Sequence, residues 1–394
     1  MTNVNINLTI TQIEEQVQKT HTRQLDISFN ELADMYQNNE LNIKPDFQRL
    51  FRWSEEKQSR FIESLILEMP VPPIFVIEVE DGCYELIDGL QRISSYLNFR
   101  GMLKKITKDE SENESENESE NEKPLKLVGC DIAPLLNGFT YDDLPTAYQI
   151  RLKRNFIRMQ VIRKESDKLL RYHMFKRLNT GGEMLEPQEI RNCNIRLLGD
   201  EFADFLKQIA ENSCFKNTIN NISETRSKSA YPQELALRFF ANKNYREHYI
   251  KDIDSFLNSY MEAVTLDSKY EQHVDFDYNE ESKIFDKVFR ILDEALGSKA
   301  FGPRKNKSSS DIAENFRIYH YEAIPIALLT ILEKIDPDNT DHIELIRNKL
   351  TEIKSDERFI EITTGGGKNT KNLLNGRIEF VKNKFLEIEE FNES

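Results

Sequence analysis

The sequence predicts an α+β protein in which a small α/β domain comes first and an all-helical domain follows. Three observations carry that expectation. Over residues 26–195, short apolar runs bounded by Gly, Pro, Asn and Asp alternate with stretches of helical spacing. Beyond Gly199 the helical spacing continues at 200–211, 232–241, 252–264, 283–296, 322–335, 341–354 and 373–388, and strand signals almost vanish. The chain is also long enough, at 394 residues with 39% hydrophobic side chains, to bury more than one core.

Residues 1–25 are polar, lack the basic-then-apolar order of a signal peptide, and read as a flexible arm. Residues 29–37 read as a short helix with Asn30 as its cap. Pro45 keeps the residues before it extended. Ser54, followed by Glu55 and Glu56, is a helix start with acids in the first turn. Phe61, Ile62, Leu65, Ile66 and Met69 share one face of that helix, and Pro70 ends it. Trp53 reads as a core anchor just before the helix. Glu63, off the apolar stripe, reads as a solvated glutamate, with a metal ligand as the sharper alternative. Strands at 74–79 and 83–87, joined at Asp81 and Gly82, form a hairpin. Gly89 then turns the chain tightly into a helix carrying Ile93, Tyr96 and Leu97.

Residues 105–124 read as a disordered insertion. It contains three copies of Ser-Glu-Asn-Glu at 111–122, which repel one another and bury nothing. Structure is expected to resume with a helix at 141–154, a strand at 156–162 and a helix at 166–178. Asn179, Thr180, Gly181 and Gly182 stop that last helix, and Pro187 opens another. The domain boundary is placed at 195, with the helical domain over 196–394. The basic, Ser-rich stretch 303–310 reads as a loop. So does the run Gly365, Gly366, Gly367 and Lys368, which lacks the Ser/Thr and the preceding strand of a P-loop.

No run approaches the roughly 18 apolar residues of a membrane span. The four cysteines, Cys83, Cys130, Cys193 and Cys214, form no CxxC pair, which argues against a zinc cluster and for reduced thiols in a cytoplasm. The net charge of −15 is uneven: residues 109–122 hold eight acids and no base. Residues 151–177 hold ten Lys or Arg against two acids, so contact with a nucleic-acid backbone through Arg151, Lys153 and Arg154 is expected despite the acidic total. The competing explanation is a solvated basic face.

Three stretches carry polar side chains that core packing does not call for. They are Asp46, Gln48, Arg49 and Arg52; Asp88, Gly89, Gln91 and Arg92; and Asn179, Gly181, Gly182, Glu186, Gln188, Glu189, Arg191 and Asn192. Each is rich in Arg, Gln and Asn, which bind phosphates and bases by paired hydrogen bonds. In the second stretch Gln91 and Arg92 fall in the first turn of a helix, where unpaired N–H groups and the helix dipole favour an anion. Asp88 stands at its lip.

The segments KPDFQRLFRW, MPVPPIF, IDGLQR and FKRLNTGGEMLEPQEIRN, in that order, resemble the N-terminal domain of GmrSD-type restriction enzymes over roughly residues 27–195. The family's usual Asp-Gly-Gln-Gln-Arg has Leu90 at its middle position here, while Asp88, Gly89, Gln91 and Arg92 are kept. The resemblance implies a ParB/sulfiredoxin-like fold that binds and hydrolyses a nucleoside triphosphate within a phage-defence system acting on modified DNA. Carried onto this chain, Arg49, Gly89, Gln91, Arg92, Asn179, Gly181, Gly182, Glu189 and Arg191 would hold nucleotide. Asp88, Gln91 and Gln48 would serve catalysis, and Asp88 would hold Mg²⁺ or position the water.

The family's HNH nuclease half needs clustered histidines, and His21, His173, His248, His273, His320 and His342 show no such spacing. His320 reads as a packing or capping residue. The chain therefore resembles the nucleotide-handling sensor half alone, for which a separate HNH nuclease subunit is one explanation and a standalone effector is another. A DNA-binding regulator that holds nucleotide without turnover, or a standalone nuclease, are the competing functions.

Overall fold

The computed structural model describes residues 14, 17–43, 51, 53–104, 124–178, 187–223, 226, 230–305 and 311–391, without the side chains of 175, 176 and 193. The chain forms two compact units, Met1–Glu183 and Met184–Ser394.

The first unit is a five-stranded mixed sheet with helices packed on it. In chain order its elements are β1 (Thr22–Ser28), α1 (Phe29–Gln37), β2 (Leu41–Asn42), α2 (Glu55–Ile66), β3 (Ile74–Glu80), β4 (Cys83–Asp88), α3 (Leu90–Phe99), α4 (Thr146–Arg154), β5 (Phe156–Ile162) and α5 (Lys168–Leu178). The sheet order is β1-β5-β3-β4-β2. β1 is antiparallel to β5, β5 parallel to β3, β3 antiparallel to β4, and β2 parallel to β4. Alternate residues of each strand point inward. Ile74, Val76, Leu86, Ile157, Met159 and Val161 therefore meet Phe29, Leu32, Ile62, Leu65, Ile93, Tyr96 and Leu97 from the helices in one core.

The α3 helix follows directly on the central hairpin, and α2 packs against it. The hairpin turns at Gly82, at φ +79, as its Asp-Gly pair predicts. Ser54 caps α2, accepting the Lys57 N–H at 3.4 Å.

Several expectations are corrected. The flexible arm expected over 1–25 gives way at Thr22 to β1, an edge strand paired with β5 from Thr22↔Ile162 to Ser28↔Phe156. The cap of α1 is Ser28, whose hydroxyl accepts the Glu31 N–H, and Asn30 instead bonds Asp34. The helix expected over 141–154 starts at Thr146, because Asp143 folds back to accept from the Thr140 N–H and hydroxyl. Met69 lies past the end of α2 and is 42% exposed.

Glu63 is not solvated: it is 1% exposed, and its Oε1 accepts the backbone N–H groups of Ile132 and Ala133 at 3.0 and 2.6 Å. Those bonds hold the start of a short 3₁₀ turn, Pro134–Leu136.

The second unit is helical: α6 (Pro187–Ile195), α7 (Glu201–Ile209), α8 (Ser213–Thr218), α9 (Tyr231–Asn244), α10 (Ile253–Thr265), α11 (Tyr278–Leu296), α12 (Ile318–Leu328), α13 (Thr340–Ser355), α14 (Glu357–Thr363) and α15 (Lys371–Leu386). Each of the seven expected helical segments holds a helix, although the one expected over 322–335 ends at Leu328 and only a 3₁₀ turn, Leu332–Lys334, follows; α8 and α14 were too short to show a period. Residues 187–195, read from the sequence as the end of the first domain, pack as α6 on α9 and α10 of this unit. The core is aromatic: α9 carries Phe239 and Phe240, both at most 1% exposed, edge-on to Phe285 or to one another at ring-centroid distances of 5.2–5.3 Å. His320 is buried against Phe359, and burial with the nearby Lys354 charge holds its imidazole well below its usual range, so it is a neutral packing residue. Among the described residues no helix is long and apolar enough to cross a membrane.

Candidate functional site

The turn between β4 and α3 is a single residue, Gly89, and only glycine fits there. Its φ is +111, and an added Cβ would come within 2.4 Å of the Ile74 side chain. Because the turn is this tight, β4 delivers Asp88 straight onto the N-terminus of α3. Gly89 supplies no side chain to cap that end.

Arg92, one turn into α3, folds back over the same spot. Its Nη2 donates to the Pro73 carbonyl at 2.9 Å and to Asp88 Oδ2 at 3.2 Å. The other Asp88 oxygen accepts the Gly89 N–H at 2.8 Å. The Arg92 side chain is only 15% exposed while that of Asp88 is 40% exposed. The Arg92 Nε is buried and has no hydrogen-bond partner among the described residues. An orphaned guanidinium N–H beside an uncapped helix start is unmet demand for an acceptor.

Gln91 has a different task. Its Oε1 accepts the Trp53 N–H at 3.0 Å, while Gln58 Nε2 donates to the Trp53 carbonyl at 2.8 Å. Asn98 in turn donates to Gln58 Oε1 at 2.9 Å. Three carboxamides from α2 and α3 thus fix the backbone of Trp53, whose ring packs edge-on to Phe61 at 5.9 Å. Trp53 directly follows the Asp46 to Arg52 stretch in sequence. Gln58 and Asn98 were not singled out from the sequence, because each looks like an ordinary polar helix residue. Asp46, Gln48, Arg49, Arg52, Asn179, Gly181, Gly182 and Glu186 lie outside the described residues.

Arg191 and Glu189 belong to α6 of the second unit. Arg191 is 4% exposed; it bonds Gln188 Oε1 at 2.7 Å, Glu234 Oε2 at 3.1 Å and Asp254 Oδ1 at 2.5 Å. The chain of charges continues. Arg238 bridges Glu234 at 2.9 Å and Glu322 at 3.0 Å, and Arg377 meets Glu322 at 3.1 Å. Burial pulls the Arg238 guanidinium down, and Glu322 and Glu234 more than offset that, leaving it raised above its ordinary value. Arg191 is thus a member of a buried ionic chain.

Four cations of the basic stretch are paired. Arg158 bonds Asp26 at 3.0 Å, Arg163 meets Glu78 at 3.5 Å and Glu165 at 3.0 Å, and Lys164 meets Asp81 at 2.6 Å. Arg151 meets Glu68 at 3.4 Å and lies over the Tyr148 ring. Lys153 and Arg154, at the C-terminal end of α4, have no ion pair among the described residues.

For Mg²⁺, the donors in hand amount to Asp88. No group of three or more His, Cys, Asp or Glu converges among the described residues. Each Asp88 oxygen keeps a lone pair beyond the bonds given. One carboxylate suits a Mg²⁺ that takes its remaining ligands from water and from substrate phosphates, not one held in a protein cage.

Residues 30–196 match the family model described as GmrSD restriction endonuclease, N-terminal domain. Comparison with curated proteins and with solved structures gave no match. The matched span begins in α1 and ends one residue past α6, so it contains the Asp88–Arg92 turn and Arg191.

Proposed function

We propose, from the premise that residues 30–196 form a GmrSD-type restriction endonuclease N-terminal domain, that this chain is the sensor component of a modification-dependent, phage-defence restriction system. It binds a nucleoside triphosphate and hydrolyses it, contacts DNA, and works with a separate HNH nuclease subunit. The observation that supports nucleotide binding is the Gly89 turn, with the buried, unpartnered Arg92 Nε beside the start of α3. Phosphoryl transfer needs chiefly positioning and charge neutralisation. In this reading Arg92 and the first-turn N–H groups of α3 hold phosphate oxygens. Gln91 keeps Trp53 in place. Asp88 orients Arg92 and offers its free lone pairs to a phosphate-bound Mg²⁺, which would supply further charge neutralisation when bound. Arg191 is assigned no phosphate, since Glu234 and Asp254 already occupy it.

The test is titration of the folded chain with ATP and GTP. Arg92→Ala is expected to weaken binding roughly 30–150-fold, the loss of about 2–3 kcal/mol of charge-assisted bonds. Arg92→Lys is expected to restore part of it, because an ammonium cannot make the planar contact. Binding by Arg92→Ala equal to the parent would remove this reading. A second reading, nucleotide binding without turnover, is favoured by the way both Asp88 oxygens are already bonded within the turn. Phosphate release by the parent and by Asp88→Asn separates the two. Turnover lost with binding retained supports hydrolysis; no release by the parent, with or without DNA, supports the binding module.

A further inference from the structure

The second unit contains a cavity of about 370 Å³ that the Asp88–Arg92 reading does not use. It is lined by Tyr231, Tyr249 and Tyr319, with Pro187, Ile253 and Ile318 among the apolar contacts and Glu234, Arg238 and Glu322 among the polar ones. That volume and that mixture of rings and converging polar groups are typical of a small-molecule site.

The polar floor has a definite sense. Arg238 gives three of its N–H groups to Glu234 and Glu322: Nε and Nη2 donate to Glu234 Oε1 at 3.2 and 2.9 Å, and Nη1 donates to Glu322 Oε1 at 3.0 Å. The carboxylates are not exhausted in return. A carboxylate offers about four acceptor sites. Glu322 accepts one bond on each oxygen, from Arg238 and from Arg377, which leaves each oxygen able to accept another. The floor therefore keeps, on its carboxylates, room to accept further hydrogen bonds. Its charge is nearly balanced: Arg226 and Arg238 in the lining, with Arg191 and Arg377 bonded behind it, offset Glu234, Asp254 and Glu322. A balanced floor disfavours a triphosphate and a polyamine alike. The tyrosine walls favour a flat ring.

We propose that this cavity binds a nucleobase carrying an exocyclic amino group, its ring against the tyrosines and its amine donating to Glu322 and Glu234. The site is independent of the one at Gly89 and Arg92.

Nucleosides, which have no phosphate, probe it alone. The full chain is titrated calorimetrically with adenosine, guanosine and cytidine, and with inosine and uridine, which lack the amine. At least one amino-bearing nucleoside is expected to bind, with its amine-free counterpart roughly tenfold weaker for the lost hydrogen bond. Tyr319→Ala is expected to weaken that binding tenfold or more, and Arg92→Ala to leave it unchanged. Ile253→Trp, which fills the cavity, does the same work if Tyr319→Ala does not fold by far-UV circular dichroism. Absence of binding at millimolar nucleoside, equal binding with and without the amine, binding that survives whichever cavity variant folds, or binding lost in Arg92→Ala would each overturn the proposal.

Discussion

Arginine does two different jobs in the two units, and the contrast lies in how fully each is paired. In the first unit Arg92 shares one Nη with a carbonyl and a half-exposed aspartate, and its Nε has no partner among the described residues. In the second, Arg238 is held on three nitrogens by two buried glutamates; Arg191 and Arg377 meet the same buried glutamates through their Nη groups, although each, like Arg92, has a buried Nε with no partner among the described residues. Arg92 and Arg238 both sit in Gln-containing helices. Only the partners distinguish a cation held by a half-exposed carboxylate from one that fastens helices together through buried ones. Those partners lie 43 and 55 residues away for Arg191–Glu234 and Arg377–Glu322.

The largest effect is expected where the carboxylates are buried. Glu322→Ala leaves Arg377 as an uncompensated buried charge and Arg238 with Glu234 alone, which costs about 3–5 kcal/mol. The helical signal in far-UV circular dichroism reports this unit during denaturant unfolding. The single Trp53 reports the other. Asp88→Ala, at a pair whose carboxylate is 40% exposed, is expected to shift the Trp53 transition by no more than about 1 kcal/mol. Similar losses at the two positions would remove the distinction between a structural and a reserved arginine.

Lys354 sharpens the comparison as a buried cation with no carboxylate. Its Nζ donates to the carbonyls of Ala300 and Gly302 at 2.9 and 2.7 Å, and burial pulls its pKa down to about 7. The folded state then holds fewer protons than the unfolded chain between about pH 7 and the ordinary lysine value of 10.5. Unfolding takes up a proton in that window, so this group's contribution makes stability rise as pH rises through it, and its full cost is felt below about pH 7. The contribution amounts to a few kcal/mol across the window. In Lys354→Met the slope of unfolding free energy against pH, followed by circular dichroism, is expected to be flatter between pH 7 and 10. Parallel slopes in the two proteins would show that Lys354 stays charged when folded.

Much of this architecture is visible in the sequence because it rests on local signals. The Asp-Gly hairpin, the Ser54 cap, the Gly89 turn and the long helices of the second unit each depend on residues within a turn or two of one another. β1 was missed because TRQLDIS is an edge strand with only Leu25 and Ile27 as apolar residues, too few to show an alternation. Glu63 and Gln91 were misjudged or only half understood for another reason. Each accepts a backbone N–H from a distant segment, 69 and 38 residues away, and no local pattern announces that. The phosphate-site reading was legible only as far as Asp88, Gly89 and Arg92. Arg191 shows how the same residue type in a matching motif can be engaged by the core.

The smallest effect concerns the basic end of α4, where the distinction between paired and unpaired cations can be read one residue at a time. Arg151 is engaged by Glu68 and Tyr148, whereas Lys153 and Arg154 have no ion pair among the described residues. A helix C-terminus favours bases for its own dipole, so their presence alone does not establish a partner. If they contact DNA phosphates, each contact releases counterions and adds about 0.9 to the slope of log affinity against log salt on duplex DNA. Lys153→Gln and Arg154→Gln together are therefore expected to flatten that slope by nearly 2 units. Arg151→Gln alone should flatten it by less than one contact's share, because Glu68 competes for its guanidinium. Fluorescence anisotropy with a labelled duplex at several salt concentrations measures all three. An unchanged slope in the double variant would leave these cations with the helix dipole as their only counterpart, and DNA contact would have to be sought on another surface.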